Sequence, residues 1–235
     1  MIKLIIFDLD GVLVDAREIH YESLNDALER AGYDSIPREQ HLSTYDGLST
    51  YKKLEMLKVP KQTQKYIWEL KQQSTLQIID EFEVDVRLKD MLKRLKEEGY
   101  TIACATNSIR DTAKLQLIRR GFLEHIDFLI SQTDVSRPKP HTEMYLRLML
   151  RAEVDPTETL IVEDSHIGRK GAIDSGAHLC GVDNSDDVTY DKIKTYINIA
   201  EGKNENKPKW QGGNMNVLIP MAGAGSRFTG AGYTF

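Results

Sequence analysis

The stretch Leu4-Ile5-Ile6-Phe7-Asp8-Leu9-Asp10-Gly11-Val12-Leu13-Val14-Asp15 decides the architecture. Its four leading apolar residues are too few for a helix. A short continuous apolar run that ends in polar and turn residues reads as a strand covered on both faces, as in parallel sheets. Asp8 and Asp10 then stand at the C-terminal tip of that strand. Residues two apart on extended chain point the same way. The pair suits a nucleophilic carboxylate beside a proton donor, with a cation to hold the charge. A simple strand end followed by a capped turn would use the same residues.

Four further runs of this kind follow at Thr101–Ala105, Phe128–Ile130, Leu160–Val162 and His178–Val182. Helical periodicity lies between them: Leu88, Met91, Leu92 and Leu95, then Tyr145, Leu148, Met149 and Ala152, fall at i, i+3, i+4, i+7. Strands alternating with helices predict βαβ units and a parallel sheet. The gap after strand one is far longer than a crossover needs. Residues 16–84 contain no convincing strand, open with Asp15 and Glu18 at capping-box spacing, and continue with helical stretches at Ser49–Leu57 and Lys61–Phe82. An all-helical insertion over the C-terminal edge of the sheet is expected, where ligands bind in such folds. The predicted division is a core of 1–15 and 85–200, a helical cap of 16–84, a polar Gly/Asn/Pro-rich linker at 201–214 and a fragment at 215–235 that begins a new strand at Met215–Ile219.

The 235 residues carry 36 acids and 31 bases, a net charge of −5. That balance argues against a nucleic-acid partner, which calls for a basic surplus. It leaves anionic substrates open, because a few placed lysines and backbone amides suffice for a phosphate. Cys104 and Cys180 sit in apolar runs without CxxC or Cys/His spacing and read as reduced core thiols. The apolar start of the chain is too short, and too soon followed by carboxylates, for a signal peptide or a membrane span. The expected compartment is the cytoplasm.

Three more features follow strand ends. Thr106 and Asn107 close strand two with a hydroxyl and an amide able to bind phosphoryl oxygens; a turn or N-cap is the plainer role, and Ser108 is placed to cap the next helix. Lys139 lies between Pro138 and Pro140 after strand three, where a solvated cation is the ordinary fate. Glu163 and Asp164 end strand four, able to complete a hard-cation site of oxygen ligands or merely to cap a helix. Each alternative is reasonable singly; all four features in order, each after a strand, are hard to reach by accident.

The series Asp8/Asp10, Thr106/Asn107, Lys139 and Glu163/Asp164 resembles the four motifs of the haloacid dehalogenase-like phosphohydrolase superfamily over residues 1–200. Phe-Asp-Leu-Asp-Gly-Val-Leu-Val-Asp with His20 following, then a helical cap before the second motif, is similar to the branch of β-phosphoglucomutase and small sugar-phosphate phosphatases. The resemblance implies a doubly wound parallel α/β fold with an inserted helical cap. It implies that Asp8 attacks phosphorus to form an aspartyl-phosphate and that Asp10 acts as acid and then base. It implies Mg²⁺ held by Asp8, the Asp10 main-chain carbonyl and Asp164, with Glu163 in or next to the ligand set, and a transferring phosphoryl group bound by Thr106, Asn107 and Lys139. Gly11 would permit the tight turn out of the site. In the cap, the resemblance points to His20, Gly47 and Thr50 as substrate-facing residues.

The loop Tyr45-Asp46-Gly47-Leu48-Ser49-Thr50 carries an acid and a hydroxyl where the mutase has lysine and arginine, and Lys52 and Lys53 read as a solvated helix face. A second phosphate is thereby disfavoured. The expected function is a Mg²⁺-dependent phosphatase acting on a small phosphorylated metabolite, a sugar phosphate, ahead of a sugar phosphomutase. The run Val217–Arg227 resembles the Gly-rich opening of sugar-phosphate nucleotidyltransferases, so a nucleotidyltransferase domain in a longer parent protein, and a bifunctional role in nucleotide-sugar synthesis, is a further expectation.

Overall fold

Side chains of β1 (Leu4–Phe7) alternate between two apolar clusters, Leu4 and Ile6 facing one and Ile5 and Phe7 the other, and all four are fully buried. A strand buried on both sides belongs in the middle of a sheet. The computed structural model describes residues 1–45 and 48–203, the Arg17 side chain excepted. In it β1, β2 (Thr101–Thr106), β3 (Phe128–Ser131), β4 (Thr159–Glu163) and β5 (His178–Gly181) form one sheet in the order β3-β2-β1-β4-β5. All pairings are parallel, with Phe7 level with Cys104 on one side and Val162 on the other. The tips of β1, β2 and β4 therefore end together at one edge.

Among the described residues, the α-helices between β1 and α5 (Val86–Glu97), which leads into β2, are α1 (Arg17–Arg30), α2 (Arg38–Gln40), α3 (Thr50–Met56) and α4 (Lys61–Asp80). Leu24 and Leu28 of α1, Leu54 of α3, and Ile67 and Leu70 of α4 share a buried cluster separate from those of the sheet. This is the inserted helical cap, with a core of its own. The sheet is covered on one face by α5 (Val86–Glu97), α6 (Arg110–Arg119) and α9 (Tyr190–Ala200), through Leu88, Leu92, Leu117 and Ile193 among others. On the other face α7 (Glu143–Arg151) and α8 (His166–Asp174) contribute Tyr145, Leu148 and Ala172. The result is the three-layer, doubly wound arrangement expected.

Two expected caps differ. The residue at the N-cap of α1 is Ala16, with no side-chain cap, and the Glu18 carboxylate is taken by Arg38 instead of reaching back along the chain. A charge-assisted Arg–carboxylate contact outweighs a neutral backbone one. Ser108 does not cap α6, whose N-cap is Ile109; its hydroxyl serves the site described below. Gly47 lies outside the described residues, as do the expected linker beyond Lys203 and the fragment 215–235. Cys104 and Cys180 are both free thiols in the core. Among the described residues no helix is long and apolar enough to cross a membrane.

Phe7 ties the central strand to the cluster under α5, so Phe7→Ala should cost about 3 to 5 kcal/mol of stability in urea unfolding. A loss below about 1 kcal/mol would show that the strand does not depend on that packing.

Candidate active site

The chain turns sharply after β1. Asp8 extends the ladder by one bond, its amide donating to the Val162 carbonyl at 3.0 Å, which sets it beside the tip of β4. The Leu9 carbonyl then accepts the amides of Leu13 and Val14, both at 2.9 Å, closing the turn around Asp10 and Gly11. Gly11 has φ +93°, and a Cβ there would stand 2.1 Å from Asp164 Oδ2. Only glycine combines that left-handed backbone with so close an approach.

Lys139 reaches into this turn from the loop after β3. Its Nζ donates to Asp8 Oδ1 at 2.6 Å, Glu163 Oε1 at 2.5 Å and the Ala105 carbonyl at 2.7 Å. It is 6% exposed, not the solvated loop cation a lysine ordinarily becomes. Asn107 holds the loop in place: its side-chain NH₂ donates to the Lys139 carbonyl and its Oδ1 accepts the Lys139 amide. Thr106 is fully buried, its Oγ1 accepting the Ser108 amide at 2.9 Å.

Glu163 has no exposed surface, and both its oxygens are engaged. Oε1 accepts from Lys139 and from the Tyr145 hydroxyl at 3.0 Å; Oε2 accepts from the Ser165 amide and hydroxyl at 3.2 and 3.1 Å. Helix α8 is capped by Ser165, whose Oγ accepts the Gly168 amide, which leaves the acids for other work. A Cβ on Gly168 would meet Glu163 Oε1 at 1.9 Å.

One carboxylate oxygen from each of Asp8, Glu163 and Asp164 lies within 4.8 Å of the others. Three carboxylates converge here around the one Lys139 ammonium. An all-oxygen, acidic cluster fits a hard divalent cation such as Mg²⁺. With Glu163 saturated by protein donors, Asp8 and Asp164 are the side chains disposed to hold it. Burial first, then the Glu163 and Asp10 charges, push the Asp8 carboxyl well above the ordinary carboxylate range, against the pull of Lys139. Lys139 is raised in turn: Asp8 and Glu163 outweigh the burial that acts to lower it.

Asp10 is not part of the converging cluster. Its Oδ2 accepts from the Ser108 hydroxyl at 2.5 Å and its Oδ1 from Gln116 Nε2 at 3.4 Å. It lines a cavity of about 490 Å³ together with Asn107 and Ser108 from the core and His20, Thr50 and Lys53 from the cap. Of the residues expected from the sequence, Asp8, Lys139, Glu163 and Asp164 come together at the tips of β1 and β4, while Asp10, Asn107, His20 and Thr50 face the cavity. Lys53 corrects the expectation of a solvated face: it is buried, with Nζ 3.1 Å from His41 Nε2, whereas Lys52 is exposed beside Glu55. Sequence reasoning also missed Tyr145 and Gln116, which read as parts of helix faces. For Tyr145 a signal existed, since a buried tyrosine hydroxyl needs a partner.

A family model described as haloacid dehalogenase-like hydrolase matches residues 5–182, from β1 to the end of β5. The chain belongs to that hydrolase family. Pyrophosphatase PpaX of Bacillus velezensis is 26% identical over 186 residues, a match spanning 76% of this chain and 82% of that protein. A β-phosphoglucomutase structure from Clostridium difficile superposes with a TM-score of 0.70 at 21% identity, covering 86% of this chain and 100% of that one. A structure described as a predicted phosphoglycolate phosphatase from Haemophilus somnus gives 0.69 at 20% identity, covering 80% and 88%. Likeness to solved structures at these identities shows the shared fold.

A carboxyl whose folded pKa is raised adds stability at low pH and loses it as pH rises through the raised value. Metal-free protein should therefore weaken as pH climbs above the ordinary carboxylate range, and Asp8→Asn, with no proton to lose, should flatten the decline. Calorimetry in EDTA at neutral pH should find Asp8→Asn more stable than the parent. A variant no more stable than the parent would contradict the assigned shift.

Proposed function

We propose that this chain is a Mg²⁺-dependent phosphatase that hydrolyses a small phosphorylated metabolite, a sugar phosphate, through a phosphoaspartate on Asp8. The observation that carries the reading is the buried Asp8–Lys139–Glu163 linkage beside Asp164, which holds Asp8 in place within a cluster of three carboxylates. Asp8 attacks phosphorus as the ester oxygen leaves, and Asp10, facing the cavity, gives that oxygen a proton. Asp10 then takes a proton from the water that cleaves the phosphoaspartate. The hydroxyl of Ser108 and the amide of Gln116 hold the Asp10 side chain in place, as the acid that protonates the leaving oxygen and then as the carboxylate that activates water. Lys139 offsets the charge that develops on the transferring group, and Asn107 fixes the loop that presents it. Asp8, Asp164 and the Asp10 carbonyl would hold the cation, with Glu163 behind them anchoring Lys139. When bound, Mg²⁺ supplies charge stabilisation to the phosphoryl oxygens.

The sugar in this reading is suggested by the nucleotidyltransferase-like run Val217–Arg227, and two free core thiols suit a reducing cytoplasm. The test is phosphate release from a panel of phosphorylated sugars, with Mg²⁺ or with EDTA. Activity should require Mg²⁺ and fall by on the order of a thousandfold or more in Asp8→Asn and in Asp10→Asn. Release that survives Asp8→Asn would remove the nucleophile. Isomerisation of a sugar phosphate without net release would instead identify a mutase using the same two aspartates.

A further inference from the structure

Every donor of Lys139 is already in use. An ammonium offers three, and all go to the protein: Asp8 Oδ1 at 2.6 Å, the Ala105 carbonyl at 2.7 Å and Glu163 Oε1 at 2.5 Å. A lysine that offsets charge on a transferring phosphoryl group must turn at least one donor toward it. Letting go of Glu163 would strand a carboxylate with no exposed surface, which is costly unless another donor takes the place.

Tyr145 of α7 supplies that donor. Its hydroxyl lies 3.0 Å from the same Glu163 Oε1 and 3.2 Å from the Gly168 carbonyl. A phenol has one proton, so it cannot serve both acceptors fully at once. With Lys139 on Oε1, the phenol proton is free to lean toward Gly168. The other carboxylate oxygen, Oε2, has the amide and hydroxyl of Ser165, so a replacement is needed at Oε1 alone.

The ring is built into its place. Tyr145 has no exposed surface, and a Cβ on Gly171 would stand 3.1 Å from its Cε2 and 2.9 Å from the Pro140 carbonyl. That glycine lets α8 close on both the ring and the loop that carries Lys139. Lys139 Nζ is 5.4 Å from the ring centre, within the range of cation–π attraction. We propose that Tyr145 is a positioning residue that releases Lys139 for the phosphoryl group. As an ammonium N–H turns from Glu163 to that group, the phenol proton turns from the Gly168 carbonyl to Glu163 Oε1. No bond to hydrogen breaks, and Glu163 stays paired throughout. This rests on the function proposed above and adds to it a residue outside the four strand-end features.

Tyr145→Phe keeps the buried ring and removes only the donor. With Mg²⁺ and the sugar phosphate that the parent turns over fastest, kcat should fall about tenfold or more while KM moves less than about twofold. In Glu163→Gln, which takes away the charge that Tyr145 answers, adding Tyr145→Phe should lower kcat by less than about twofold further. An unchanged kcat, a loss carried by KM, or an equal fall in both backgrounds overturns the positioning role and leaves the phosphatase standing. A parent that releases no phosphate ends the phosphatase reading instead. Wherever turnover is too slow to follow, the calorimetric Kd of orthovanadate with Mg²⁺, a mimic of the transferring group, decides. Weakening of about tenfold by Tyr145→Phe that is absent in Glu163→Gln upholds the role. An equal Kd, an equal weakening in both backgrounds, or no binding to the parent refutes it.

Discussion

A single ammonium organises the catalytic end of this molecule. Lys139 touches the tips of three neighbouring strands at once: Asp8 after β1, the Ala105 carbonyl of β2 and Glu163 of β4. Two carboxylates so close and so buried would repel each other strongly in a low-dielectric setting, and removing the cation between them costs on the order of 3 to 5 kcal/mol. The remaining geometry follows from keeping them there. Glycines at 11 and 168 leave space that a methyl group would take from Asp164 and Glu163. Tyr145 and Ser165 occupy the lone pairs of Glu163 that Lys139 leaves over. Asn107 ties the Lys139 loop to the end of β2 by two backbone bonds. The linkage leaves Asp8 fixed beside Glu163 and Asp164, an all-oxygen cluster compatible with a divalent cation.

The cap is built on a different principle. Its helices have a buried apolar cluster of their own and reach the site mainly through polar side chains. Such division lets the core keep one chemistry while the cap varies what it accepts. The core contributes Asp10, Asn107 and Ser108 to the cavity, and the cap contributes His20, Thr50, Lys53 and Lys71. Function here is shared between a rigid sheet edge and an inserted lid.

The parts legible in the sequence are those whose signal is local. Continuous apolar runs reveal β1 to β5; the structure extends three of them by a residue, to Thr106, Ser131 and Glu163, and ends β5 one residue sooner, at Gly181. Asp8, Asp10, Glu163 and Asp164 are legible because they stand at or just past the end of a strand, and Lys139 because two prolines mark its loop after β3. Residues that act from helix faces give no such signal. Tyr145 fits an apolar stripe, and only the fold shows that its hydroxyl meets Glu163. Gln116 is one polar residue among many on α6 until Asp10 is seen beside it. Ser108 and Glu18 read as helix caps, yet each found a charged partner distant in sequence, Asp10 for one and Arg38 for the other, and a charge-assisted bond outweighs a cap.

Lys53 is the most instructive of these. Adjacent lysines on a short helix ordinarily share a solvated face, but successive helical residues point about 100° apart. The turn that leaves Lys52 in water beside Glu55 therefore carries Lys53 inward to His41 and the cavity. The chain's net charge of −5 is thus a poor guide to the potential its substrate meets. Acids converge at the strand tips, Asp8, Glu163 and Asp164 together, while Lys53 and Lys71 lie buried in the cap beside the cavity, so a sum over the whole chain describes the charge at neither place.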